Sequence, residues 1–204
     1  MANRRFAINK PDLAGRKSIQ QVLIICEGKT EYEYFLEIRQ KKKSHKIKVH
    51  ICNAKGDLDC KRLKNQFIKL GIENVDKVFV VFDRESPVEI NNLIRWLEKT
   101  NKHWIVSNPC FELWILLHIE DQHGAINTAD VLKKVKGKLD WYKKGCSGLY
   151  SRLESEKVCS STKAIERTSL LYKMHMKNND NLQQFNWNPY TNVPDILQAI
   201  MDIE

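Results

Sequence analysis

Two short hydrophobic runs constrain the fold of this chain more than any other feature of its sequence. Val22 to Cys26 and Val78 to Phe82 are rich in β-branched residues and are bounded by polar ones. Such runs are typical of strands that are covered on both faces, as in parallel sheets. Acidic residues follow both runs. Because ligands of open α/β sheets bind beyond the carboxyl ends of the strands, this edge is a candidate site.

Strands and helices are predicted to alternate through the first 120 residues. The spacing of apolar side chains predicts strands at residues 22–26, 47–52, 78–82 and 103–106. It predicts helices at residues 31–40, 57–70, 88–99 and 110–118. This alternation predicts an α/β fold with a parallel sheet of about four strands and right-handed crossovers. The strand order 2-1-3-4 makes the first and third strands neighbours and places the reversal of order between them.

The chain is expected to form a single folding unit with three parts. Residues 1–19 are polar and are expected to be a flexible arm, and residues 20–120 form the α/β core. Residues 121–204 show only helical pattern and loops, with helices expected at 129–139, 161–176 and 193–200. We therefore expect a helical C-terminal extension packed on the core.

Composition favours a polyanionic partner. The chain has 34 Lys and Arg against 25 Asp and Glu, a net charge of +9, and nucleic acid is the commonest partner for such an excess. A solvated, lysine-rich surface is the alternative. The six cysteines form no C-x-x-C pair, and the sequence has no apolar stretch of membrane-spanning length and no signal-peptide core. We expect a cytoplasmic protein with reduced thiols and no membrane association.

The first acidic motif follows the first strand, at Glu27. Thr30 and Glu33 have the spacing of a helix capping box, and Glu31 suits the first turn of the helix. These roles leave Glu27 unexplained at the junction of strand and loop. The Gly-Lys-Thr sequence after Glu27 lacks the earlier glycine that a phosphate-binding P-loop requires.

The second acidic motif, Asp83 and Glu85, follows the third strand. Ser86 is a credible helix cap and Glu89 completes a capping box, but Asp83 and Glu85 fall outside that explanation. Side chains at i and i+2 of an extended chain lean the same way, so these two offer two oxygen ligands to a hard cation. Pairs of acids after a strand are also common on protein surfaces.

Glu112 is the third acidic feature. Ser107 or Asn108 is expected to cap a helix that the following proline starts, and Glu112 is the only acid in its almost wholly apolar sequence. A buried carboxylate is costly unless it meets a cation. That cation is either a metal or a basic residue of the helical half, such as Lys144 or Arg167, in a plain structural ion pair.

Three motifs in this order resemble the RloB-like proteins of prokaryotes. The segments that carry the resemblance are Cys26-Glu27-Gly28-x-Thr30-Glu31, Phe82-Asp83-Arg84 and Asn108-Pro109-x-Phe111-Glu112-Leu113-Trp114 with Leu117-His118. Later landmarks are Tyr142-Lys143-Lys144, Ala164-Ile165-Glu166-Arg167 and Asn188-Pro189-x-Thr191-x-Val193. The resemblance spans most of the chain.

This resemblance implies a Toprim-like (Rossmann-like) fold and metal-dependent phosphodiester chemistry. Glu27 would be the general acid/base or an acid near the metal, and Asp83 would ligate Mg²⁺ (or Mn²⁺). Glu85 stands where Toprim-like proteins have the second acid of a D-x-D motif, and Glu112 would support or complete the site. Family members are linked to phage defence and abortive infection, often beside an AAA or ABC-type ATPase.

The leading hypothesis is a Mg²⁺-dependent nuclease that acts on DNA or RNA in defence against phage or foreign DNA. The residues expected to bind the metal and carry the catalysis are Glu27, Asp83, Glu85 and Glu112. The residues expected to contact nucleic acid are Lys29, Arg84, Lys143, Lys144 and Arg167. One alternative is a non-catalytic subunit that senses a nucleic acid or nucleotide for an ATPase partner. A small-molecule phosphotransfer enzyme ranks last, because no glycine-rich nucleotide loop is present.

Overall fold

A sheet with the strand order β2-β1-β3-β4-β5 organises the protein. The computed structural model describes residues 21–52, 58–72, 75–85, 89–157, 159–178 and 183–201, so the predicted arm lies outside the described residues. The strands are β1 (Val22–Cys26), β2 (Ile47–Ile51), β3 (Lys77–Asp83), β4 (His103–Asn108) and β5 (Tyr190–Thr191). The first four are parallel, in the predicted order, and β5 is antiparallel to β4.

Helices alternate with the parallel strands and make up most of the second half of the chain. The helices are α1 (Lys29–Lys41), α2 (Cys60–Leu70), α3 (Ile90–Lys99), α4 (Glu112–Ile119), α5 (Thr128–Lys138), α6 (Leu149–Ser155), α7 (Ser161–Lys177) and α8 (Val193–Met201). The predicted α/β class and the helical C-terminal half are therefore confirmed. Within the described ranges, no helix combines the length and the apolar character needed to cross a membrane.

The register of the central strands brings the first two acidic motifs together. Cys26, the last residue of β1, pairs with Val81 of β3. The Glu27 N–H then continues the ladder by donating to the Val81 carbonyl at 2.9 Å. Asp83 ends β3 two residues later, opposite Ser107 of β4. The strand ends that carry Glu27 and Asp83 are thus adjacent at the carboxyl edge.

Both faces of the sheet are covered, as the hydrophobic runs predict. One face packs against α2 and α3 through residues such as Leu23 and Ile25. The other packs against α1, α4 and the C-terminal helices through Val22, Ile24 and Cys26. Because α5 and α7 cover α4 on its outer side, α4 is enclosed all round. This enclosure accounts for its nearly uniform apolar sequence.

The predicted helix caps at Thr30 and in β4 are wrong. Helix α1 begins at Lys29 after Gly28, and Thr30 instead accepts a hydrogen bond from the Gly145 N–H at 3.0 Å. Ser107 and Asn108 extend β4, because β5 pairs with both of them, and α4 starts only at Glu112. The predicted cap at Ser86 lies outside the described residues.

We expect Leu116→Ala in α4 to lower the free energy of unfolding by about 3 kcal/mol, since Leu116 is fully buried and the change leaves a cavity. Ile68→Ala is the matched control. Ile68 is exposed, so its truncation should change stability by less than about 0.5 kcal/mol. Chemical denaturation of both variants measures the difference, and equal effects would contradict the enclosure of α4.

Candidate acidic site at the carboxyl edge of the sheet

A pocket of about 210 Å³ lies at the carboxyl edge, where the strand order reverses between β1 and β3. Open α/β sheets bind ligands at such reversals. The pocket brings together the ends of two strands, the starts of two helices and a loop of the C-terminal half. Its lining residues are Glu27, Gly28, Glu31, Asp83, Glu112 and Lys144.

Main-chain hydrogen bonds hold Glu27 and Asp83 in place. Glu27 Oε2 lies 3.4 Å from the Asp83 N–H and accepts a long hydrogen bond from it. Asp83 Oδ1 accepts from the Phe111 N–H at 2.8 Å, in the turn before α4. Asp83 therefore connects β3 to the start of α4. The two acids predicted from the strand ends share one pocket.

Glu112 is buried at the start of α4, and its two carboxylate oxygens differ. Oε1 accepts a hydrogen bond from the Tyr142 hydroxyl at 2.8 Å and lies 4.0 Å from Lys144 Nζ. Oε2 is buried and has no hydrogen-bond partner among the described residues. Of the two basic partners considered from the sequence, Lys144 is the one at this site. Arg167 contacts Asp121 and the Leu117 carbonyl, toward the other end of α4.

Glu31 is a pocket residue that the sequence analysis assigned only to the first turn of a helix. Helical side chains lean toward the helix N-terminus, so Glu31 points back toward the end of β1. A Cβ on Gly28 would lie 3.1 Å from Glu31 Cδ and closer still to Oε2, so a side chain at position 28 would have to displace the Glu31 carboxylate. The spacing Glu27-Gly28-x-x-Glu31 is the signal that was available in the sequence.

Burial and mutual repulsion shift the pKa values of the pocket. Burial, followed by repulsion from Glu112 and Glu27, raises the pKa of Glu31 to about 7. Burial, followed by repulsion from Glu31 and Glu112, raises the pKa of Asp83 well above its usual value. Burial lowers the pKa of Lys144, but attraction to Glu112, Asp83 and Glu31 outweighs it and the net shift is upward. Near neutral pH, the pocket therefore favours taking up a proton or another cation.

Glu85 lies outside the pocket. It is exposed, and its Oε2 accepts a hydrogen bond from the Thr128 hydroxyl at the start of α5 at 3.0 Å. Side chains at i and i+2 lean the same way only in an extended chain. Because β3 ends at Asp83 and the chain then turns, Glu85 does not join Asp83 in the pocket.

The other basic residues singled out from the sequence do not line the pocket. Arg84 Nε donates to Asn186 Oδ1 at 2.9 Å. Lys29 is exposed, and its aliphatic carbons lie beside Gly145. Lys143 is also exposed. Lys144 is thus the basic residue that the described part of the pocket contains.

The donor chemistry of the pocket suits a hard cation. Among the described residues, no group of three or more His, Cys, Asp or Glu side chains is arranged to hold a metal ion. A site for Mg²⁺ does not require such a group, because this ion usually binds one or two carboxylates and completes its octahedron with water and substrate phosphate. The unpartnered oxygen of Glu112 and the neighbouring Asp83 provide ligands of that kind.

A family model described as RloB-like protein matches residues 22–200. The match covers most of the chain, and the protein therefore belongs to the RloB-like family. All the acidic residues that line the pocket fall within the matched region. Comparisons with curated proteins and with solved structures find no match.

We expect Glu31→Gln to raise the free energy of unfolding at pH 8 by about 1–3 kcal/mol. The folded-state pKa of Glu31 is about 7 against an ordinary value of 4.5, so the folded protein holds this proton more tightly than the unfolded chain. Ionisation of Glu31 therefore costs stability as pH rises from about 4.5 through about 7. The gain from Gln should fade as pH is lowered and be absent below about 4.5.

Urea denaturation between pH 4 and pH 8, with EDTA present, measures this difference. Glu33→Gln on the same helix is the control, since Glu33 does not line the pocket, and the two variants are compared at each pH. A loss of stability for Glu31→Gln at pH 8 would contradict the electrostatic interpretation.

Proposed function

We propose that this RloB-like protein is a Mg²⁺-dependent nuclease that acts in defence against phage or foreign DNA. The observation that carries the proposal is the acidic pocket, in which a buried Glu112 oxygen has no partner among the described residues and like charges face one another. Such an arrangement costs folding free energy unless a cation compensates it. The resemblance to Toprim-like proteins supports the choice of phosphodiester chemistry.

The carboxylates divide into two roles in this proposal. Asp83 and Glu112 would hold Mg²⁺. A hydrogen bond already fixes one oxygen of each carboxylate, so the other oxygen is oriented for a metal. A bound Mg²⁺ would polarise the phosphodiester and lower the pKa of an attacking water. Glu27 or Glu31, the two pocket acids not assigned to the metal, would move the proton.

The basic residues would hold the nucleic-acid backbone. Lys144 lies at the pocket with most of its side chain exposed, so it can reach a phosphate while remaining near Glu112. The net charge of +9 would add attraction that depends little on sequence and weakens with salt. An AAA or ABC-type ATPase partner is part of the same proposal and rests on the family resemblance alone.

Cleavage assays test the proposal directly. Purified full-length protein is incubated with plasmid DNA and with total RNA, in Mg²⁺, in Mn²⁺ and in EDTA. We expect cleavage of at least one substrate with either metal and none with EDTA. Nucleic-acid binding without cleavage in every condition would instead favour the non-catalytic sensing subunit.

Asp83→Ala should reduce cleavage by more than about 100-fold, beyond the usual range for residues that only support a metal ligand. Its effect on thermal stability should be small, because the relief of repulsion among the carboxylates offsets the loss of the hydrogen bond from the Phe111 N–H. Asp140→Asn, an exposed change outside the pocket, is the control for both measurements. A large loss of stability in Asp83→Ala would make Asp83 a structural residue.

A further inference from the structure

The loop between α5 and α6 brings a buried tyrosine to the acidic pocket. Tyr142 is almost fully buried, and its hydroxyl donates to Glu112 Oε1 at 2.8 Å. Neither the motifs after the strands nor the proposed chemistry uses this hydroxyl. A neutral tyrosine hydroxyl is a single donor, so its contact fixes one carboxylate oxygen and leaves the other unengaged.

Two contacts with the start of α1 hold this loop in place. The Gly145 N–H donates to Thr30 Oγ1 at 3.0 Å. Gly145 has φ +69°, and a Cβ there would lie 3.0 Å from Lys29 Cδ. Position 145 therefore favours glycine for both its backbone conformation and its close approach to α1. The loop that carries the tyrosine is thus attached to Thr30, and the tyrosine itself is attached to Glu112.

The geometry points to Tyr142 as a positioning residue that orients Glu112 so that its Oε2 is available to the cation of the pocket. This inference rests on the metal binding in the proposed function. Carboxylates that ligate metals are themselves commonly hydrogen-bonded, and these supporting contacts set their orientation. Without the Tyr142 hydroxyl, the Glu112 carboxylate is free to turn toward Lys144, 4.0 Å from Oε1.

Tyr142→Phe tests the role, because it removes the hydroxyl and keeps the ring. Mn²⁺ binding, measured by electron paramagnetic resonance and by calorimetry, should weaken by about 10- to 100-fold. Tyr34→Phe is the matched control, since Tyr34 is buried in the same hydrophobic cluster and its hydroxyl has no hydrogen-bond partner among the described residues. Its Mn²⁺ affinity should equal that of the wild type.

A double-mutant cycle separates positioning from a general structural effect. If Tyr142 acts through Glu112, Tyr142→Phe should weaken Mn²⁺ binding little further in a Glu112→Gln background. Additive losses would overturn the inference. Should Tyr142→Phe fail to fold, Thr30→Val removes the hydroxyl that accepts from the Gly145 N–H and so loosens the loop that carries the tyrosine. This variant should also lower the Mn²⁺ affinity.

The outcomes distinguish this inference from the proposed nuclease activity. If the wild-type protein binds Mn²⁺ but cleaves neither DNA nor RNA, the proposed nuclease activity is contradicted. A weaker Mn²⁺ affinity in Tyr142→Phe would in that case still support the role of Tyr142. Equal Mn²⁺ affinities for wild type and Tyr142→Phe overturn the inference alone. Wild-type protein that does not bind Mn²⁺ overturns both.

Discussion

Repulsion among carboxylates at one edge of the sheet is the constraint around which this structure is arranged. Glu27, Glu31, Asp83 and Glu112 line one small pocket, and burial together with mutual repulsion raises the pKa values of Glu31 and Asp83. The parallel sheet brings two of these acids to the same edge, and the helices that follow β1 and β4 bring the other two. Hydrogen bonds from Phe111 and Tyr142 then hold them there.

The helical second half of the chain is needed to complete this edge. Helix α4 starts at the pocket with Glu112 and is apolar on every side, so it requires cover beyond the sheet. Helices α5 and α7 provide that cover, and the chain between α5 and α6 returns to the pocket with Tyr142 and Lys144. The cover of α4 and the completion of the site thus come from the same part of the chain.

The spacing of apolar residues predicted the features that depend on a repeated pattern along the chain, namely the strands, the helices and the class of sheet. The alternation of buried strands and helices predicted the parallel sheet, and the expectation that Glu27 and Asp83 are neighbours selected the strand order that the structure shows. Local geometry, which such regularities do not encode, decides which side chains enter the pocket. Glu31 lies in the pocket because α1 begins two residues earlier than expected. Glu85 lies outside it because the chain turns after β3. Strand β5 has two residues, too few to produce an alternating pattern.

The contacts of Glu112 argue against a purely structural ion pair. Lys144 lies 4.0 Å from Glu112 Oε1, and its side chain is 61% exposed against 1% for Glu112. An ion pair with one exposed partner contributes at most about 1 kcal/mol. A charge-assisted hydrogen bond from Tyr142 adds roughly 1.5–3 kcal/mol. Removing the partner of a buried charge costs about 3–5 kcal/mol, which is close to what these two contacts supply together. They leave Glu112 Oε2 without a hydrogen-bond partner among the described residues. An unpaired carboxylate oxygen at the edge where α/β sheets bind their ligands is the feature on which the proposed cation site rests.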